Sequence, residues 1–167
     1  MPLIHLLFQI CIFRKGPQDV PASLPLLVVT LLLYLVMGVL LLAQETGWLE
    51  GILRTLAEAT LLGGFLWTTL RLMDKRPRLL QTAIAVYASD ALVSSVALPL
   101  LLLMASTPEA KPVYLLLLGL MIWHWAVMGH ILRHAVSVRW VHGVGLAMAY
   151  MVLSYRIMSS LFPAGTA

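Results

Sequence analysis

Six residues that can carry a charge or a proton lie inside, or at the edge of, long apolar runs of this chain: Glu50, Arg54, Glu58, Asp90, His124 and Arg156. Ionisable groups in such runs are costly and face a bundle interior or water, which makes them the first functional suspects. Asp90 stands in "YASDALVSSVALP"; at helical spacing Ala83, Tyr87, Asp90, Ser94 and Ala97 share one narrow small-and-polar face. Pro99, further along, removes a backbone donor and predicts a kink. Glu50, Arg54 and Glu58 follow one another at i,i+4. Arg156 shares a stripe with Gly145, Ala149, Val152 and Ser160. Counted along antiparallel helices, Glu58 and Arg156 lie on the same side of the middle, with Asp90 slightly deeper. The arginine stem is long enough to reach either carboxylate. Three kinds of chemistry fit: a structural ion pair that sets helix register, a proton or ion relay through Asp90 and Glu58, or a site for a polar ligand. Spacing alone leaves all three open.

A second constellation is "WHWAVMGHILRHAVSVRWVH", residues 123–142, with four of the five histidines. From His124, His130 is about 120° around a helix and about 9 Å along it, and His134 about 80° and about 15 Å. One ion cannot meet all three. His130 and His134, at i,i+4, could chelate together, but zinc wants three or four ligands. His142 and Asp74 are the remaining prospects, and no HExxH motif is present. For haem, His130 or His134 with His142 is the only pairing at matching depth. The expectation is no metal and no cofactor. His130, His134 and His142 should join Arg133 and Arg139 in a band at the membrane surface, with Trp140 as a headgroup anchor. His124 should come within reach of Asp90. With no Gly-rich phosphate loop, no GxSxG and a single cysteine, Cys11, nothing supports an enzyme, an internal disulfide or a Cys-rich metal site.

The elements that position these residues follow from composition. The 167 residues are 61% hydrophobic and 11% charged, against roughly 25% charged in an ordinary soluble domain. This is an all-α integral membrane protein. Five runs reach the roughly 17–25 residues that a spanning helix needs: about 24–42, 49–73, 79–104, 113–132 and 138–161. The connections are short, so consecutive helices should pack as antiparallel partners. "LIHLLFQICIF" is too short to span and lacks the leading positive charges of a signal peptide. Residues 1–23 read as a cytoplasmic segment whose short helix lies in the interface, with a re-entrant segment packed on the bundle as the alternative. Arg14, Lys15, Arg71, Lys75, Arg76, Arg78, Arg133 and Arg139 fall on one side. Arg54, Lys111 and Arg156 fall on the other, with Glu45, Glu50 and Glu109. The positive-inside rule puts the N-terminus in the cytoplasm and residues 163–167 outside. The net charge of +4 then belongs to topology and anionic lipid headgroups, contacted by Arg71, Lys75, Arg76, Arg78, Arg133 and Arg139, and not to nucleic acid. Gly63–Gly64, Ala91 to Ser95, Gly143 to Ala147 and Gly145 to Ala149 fit small-xxx-small helix contacts.

With its N-terminal segment, the Gly-Pro-containing lead-in "RKGPQDVPAS", five closely spaced spans and a short outer tail, the layout resembles the Yip1-domain membrane proteins and small inner-membrane proteins of proteobacteria. The resemblance implies a non-enzymatic protein of the bacterial inner membrane, an accessory or scaffold subunit that packs against other membrane proteins, itself or lipids. The alternative is a small transporter or proton- or ion-coupled subunit using Asp90, Glu58 and Arg156. A haem-binding electron-transfer subunit is the third possibility.

Overall fold

The computed structural model describes residues 3–107 and 111–163. Residues 108–110 (Glu109 among them) and 164–167, most of the expected outer tail, lie outside the described residues. Among those described there are six α-helices and no strand: α1 (Leu3–Cys11), α2 (Leu24–Thr46), α3 (Trp48–Leu72), α4 (Leu79–Ser106), α5 (Lys111–Val136) and α6 (Trp140–Leu161). Short 3-10 turns cover Pro17–Asp19 and Arg76–Arg78. Four of these helices, α2, α4, α5 and α6, are long and apolar enough to cross a membrane. The chain is therefore a multi-pass membrane protein. The fifth long helix, α3, carries Glu50, Arg54, Glu58 and Arg71 and is the most polar of the five.

Local chemistry explains the ends of the elements. Pro25 sits in the first turn of α2, where its missing N–H is not needed. Gly47 is the whole connection between α2 and α3; its φ of +84° and ψ of 165° lie in a region essentially closed to other residues. Gly51 then lies against the Ala43 backbone and Gly38 against Thr55, so the two helices leave this one-residue turn in close contact. At the other end of the bundle, Arg78 Nη1 donates to the carbonyls of His134 (2.9 Å) and Ala135 (3.1 Å) and to Ser137 Oγ (2.7 Å). It thereby caps the C-terminus of α5 with a positive charge.

The long helices form a ring in the order α3, α2, α4, α5, α6, closed by contact between α6 and α3. Consecutive α3 and α4 are therefore not the close pair that the short connection predicted; α4 packs chiefly on α2. The space between α3 and α4 is taken by Tyr87, whose hydroxyl donates to the Ala59 carbonyl at 2.9 Å, with Gly63 leaving room beside it. The core is dense toward the end that carries the α3–α4 and α5–α6 turns. There Leu66, Ile84, Ile131 and Leu132 are fully buried. Toward the opposite end, Leu102, Leu103, Leu115, Leu118 and Met121 are exposed.

The N-terminal helix α1 packs one face on the bundle and leaves Ile4 and Phe8 exposed on the other. Leu7, Ile10 and Cys11 are buried against α4 and α5. Phe13 adopts a left-handed conformation (φ 63°) that ends α1, with Phe13 N–H bonded to the Ile10 carbonyl and Arg14 N–H to the Gln9 carbonyl. The leftover Cys11 carbonyl accepts from Trp123 Nε1 at 3.1 Å. Gln81 Nε2 holds the Val20 carbonyl at 2.8 Å. The Cys11 and Val20 carbonyls, outside any helical ladder, thus each accept from a side chain of the bundle. Burial pushes the Cys11 thiol up to about 11 from a usual 9.0. Two pKa units mean about a hundredfold less thiolate near neutral pH. Cys11 is the sole cysteine, so maleimide labelling of the native protein reads it alone. Labelling should be about a hundred times slower than after denaturation; equal rates would place α1 outside the core.

Candidate functional site

Each of the five long helices contributes mid-length residues to one cavity of about 370 Å³. Tyr34 comes from α2, Glu58 and Leu62 from α3, Ser89 and Asp90 from α4, His124, Trp125 and Met128 from α5, and Tyr150, Met151 and Ser154 from α6. It sits where the dense core ends: Ala83–Ala88 and Val127–Leu132 are buried, whereas α4 and α5 are more open beyond Asp90 and His124.

The sequence singled out Asp90, Glu58 and His124, and the structure brings all three to this cavity. His124 Nε2 stands 3.5 Å from Asp90 Oδ1, with the two side chains 37% and 20% exposed. That separation is an ion-pair distance and longer than a good hydrogen bond. Access of this order leaves both groups in contact with the cavity rather than sealed in packing. Glu58 has a different setting. Ser154 Oγ lies 2.8 Å from both of its carboxyl oxygens, and the Tyr150 hydroxyl donates to Oε1. The Tyr150 ring is braced in turn by Phe65, 5.1 Å away between centroids. Below the site, Tyr34 and Tyr87 meet edge to face at 5.1 Å.

Two of the predicted members are elsewhere. Arg54 pairs with Glu50, at 2.8 Å through Nε and 2.5 Å through Nη2, and its guanidinium lies 5.1 Å over the Phe162 ring. Arg156 is exposed, on the outward face of α6, and forms no ion pair with a described residue. The reason is which stripe of α6 faces inward. Gly143, Ala147, Tyr150 and Ser154 point to the bundle, not Gly145, Ala149, Val152 and Arg156. Gly143 decides this. A Cβ there would run into the Gly129 carbonyl oxygen and lie 2.6 Å from Arg133 Cβ, whereas Gly145 has nothing within 4 Å. The helices touch where glycine leaves no side chain, and Tyr150 and Ser154 come with that face. Both hydroxyls lie one or two turns from Ala147 on the same stripe, so a hydroxyl-bearing inward stripe was the available signal for them.

In the histidine cluster at the other end, His130 is buried in the bundle and does not sit in a surface band. His130 is 1% exposed; its Nε2 donates to the Lys15 carbonyl at 2.8 Å. Its ring meets those of Phe13 at 5.3 Å and His134 at 4.7 Å. It ties the N-terminal segment to α5, and among the described residues no group of three His, Cys, Asp or Glu side chains converges there or elsewhere. His142 is exposed. Of the six cations assigned to headgroups, Arg71, Arg76 and Arg139 are exposed. Arg133 stacks 5.3 Å from the Trp140 ring, and Arg78 is committed to the α5 cap. Lys75 is half-buried at the α3–α4 turn.

The chain matches no family model, no curated protein and no solved structure. The site's chemistry is read from its own residues.

Proposed function

We propose that this protein is a small proton-coupled transport subunit of the bacterial inner membrane, working through the mid-bundle carboxyls Asp90 and Glu58 with His124 as a proton partner. In this reading α3 is a fifth span and the basic end faces the cytoplasm, as the positive-inside rule requires. Its exposed Arg71, Arg76 and Arg139 then meet anionic headgroups. The observation that carries the reading is the cavity itself. Two carboxyls, one from α3 and one from α4, and a histidine line one open space halfway along the bundle. A protein acting only by packing needs no such space, and for that reason we favour transport over a scaffold role. Helix packing normally closes on small residues and satisfied polar pairs, as it does here at Gly51–Ala43 and Gly129–Gly143.

Asp90 and His124 divide the work in the following way. A proton carried on the Asp90 carboxyl passes to His124 Nε2, directly or through one intervening water, leaving carboxylate and imidazolium as a pair. Imidazole takes and releases protons near neutrality more readily than any other side chain, so it hands the proton on to water in the cavity. Glu58, held by Tyr150 and Ser154, is the second acceptor. The dense core beyond Leu66, Ile84 and Ile131, with α1 packed against it, separates this space from the basic end. Five helices enclose little more than this one cavity, so a full transport path calls for further copies of the chain or a partner subunit.

Reconstitution tests the reading. Proteoliposomes loaded with a pH-sensitive dye and polarised by a potassium gradient with valinomycin should acidify faster than protein-free vesicles. Equal rates, at either polarity and with the protein shown to be inserted, would refute proton movement through this chain.

A further inference from the structure

The cavity has a charge pattern and a lining that define what it can hold. Asp90 and Glu58 both face it, and none of the described lysines or arginines does. Arg54 is bound by Glu50, and Arg156 is on the outward face of α6. His124 is the one basic side chain present, and it is paired with Asp90. A carboxylate at this depth needs a counter-charge or a proton, and an anionic solute would meet only repulsion. The remaining walls are aromatic and soft: Tyr34, Trp125, Tyr150, Met128 and Met151. Aromatic faces attract organic cations with particular strength when water is excluded, and methionine adapts to irregular apolar shapes. A volume of about 370 Å³ lies at the lower end of the range for small-molecule sites. Among the described residues no three His, Cys, Asp or Glu side chains converge closely enough to hold a metal ion. An organic monocation needs one carboxylate and apolar walls.

We propose that the mid-bundle cavity binds a small organic monocation, an amine or quaternary ammonium with an apolar or aromatic body, in exchange for protons on Asp90 and Glu58. This rests on the reading of the cavity as the working site and names its substrate class. The cationic head sits between the two carboxyls and against the tyrosine rings, and the body lies along Met128, Met151 and Leu62. Because either a proton or the cation neutralises the same carboxyl, loading one releases the other, and the two compete for the site.

The test uses purified full-length protein in detergent and radiolabelled benzyltrimethylammonium as the probe. Saturable binding is expected at one site per chain. Unlabelled benzyltrimethylammonium should displace it, while the neutral isostere neopentylbenzene and the anion benzenesulfonate should compete at least about tenfold less well. Trp125 lines the cavity, so its fluorescence should change on binding. The double variant Asp90→Asn/Glu58→Gln should lose saturable binding, and Asp90→Glu/Glu58→Asp should restore part of it, which separates loss of charge from loss of fold. The proposal is overturned by equal competition from the neutral isostere, by binding that survives removal of both carboxyls, or by no saturable binding up to about 1 mM. Cation binding without proton flux in vesicles would leave this site standing and remove the transport reading; flux without cation binding would do the reverse.

Discussion

Asp90→Asn is expected to reduce proton entry into proteoliposomes by about a hundredfold while leaving the protein folded. The two side chains have nearly the same shape, so the packing of α4 against α2 and α5 is kept. What disappears is the group that binds and releases a proton, and positioned acid–base groups contribute about 10²–10⁴ in rate. His124, 3.5 Å away, also loses the negative partner that makes its protonated form affordable in the bundle. His124→Gln should have a smaller effect, because Asp90 and Glu58 can still exchange protons with water in the cavity. The check is the dye assay beside a melting curve for each variant. If Asp90→Asn conducts like the wild type and melts like it, Asp90 is a structural polar group and the relay is wrong.

Gly143→Leu should be the most damaging single change to the fold. Its side chain would have to occupy space held by the Gly129 carbonyl oxygen, Arg133 Cβ at 2.6 Å and Arg133 N at 2.9 Å. Two of those are backbone atoms, which cannot swing aside. The helices must part, and overpacking of this kind costs about 1–3 kcal/mol or more. For a chain of this size each kcal/mol lowers the melting temperature by about 2–4 °C, so a fall of roughly 5–10 °C is expected. Because α5 is the main neighbour of α6, the shift also draws Tyr150 and Ser154 away from Glu58. Gly145→Leu is the matched control: Gly145 has nothing within 4 Å, and its melting temperature should barely move. Equal losses at the two sites would mean that the inward face of α6 is misassigned.

Those two glycines show where sequence reasoning reached its limit. The long helices were legible almost to their ends, because apolar length and breakers such as Pro25, Gly47 and Pro163 act locally. Asp90, Glu58 and His124 were legible as a group, because each is an ionisable residue near the middle of a long, mostly apolar run. Arg156 was not, because α6 offers two small-residue stripes, Gly143–Ala147 and Gly145–Ala149. Only the complementary surface of α5, with Gly129 opposite Gly143, selects between them. The same dependence on a distant surface hid the packing of α4 on α2, where Tyr87 occupies the space that α3 would otherwise close. It also hid the contacts that tie down the N-terminal segment, where the Cys11 and Lys15 carbonyls accept from Trp123 and His130, more than a hundred residues along the chain.

Proton movement through this chain requires Asp90 and Glu58 to exchange protons with water halfway across the bundle. Infrared difference spectroscopy of the protein in lipid, taken as the pH is stepped, observes this directly through the C=O stretch that only a protonated carboxyl possesses. A carboxyl band should rise and fall with pH, shift in heavy water, lose one component in Asp90→Asn and a second in the double variant with Glu58→Gln, leaving only the components of the other five acidic side chains. A spectrum without a titrating carboxyl band, or one that the double variant leaves unchanged, would contradict it.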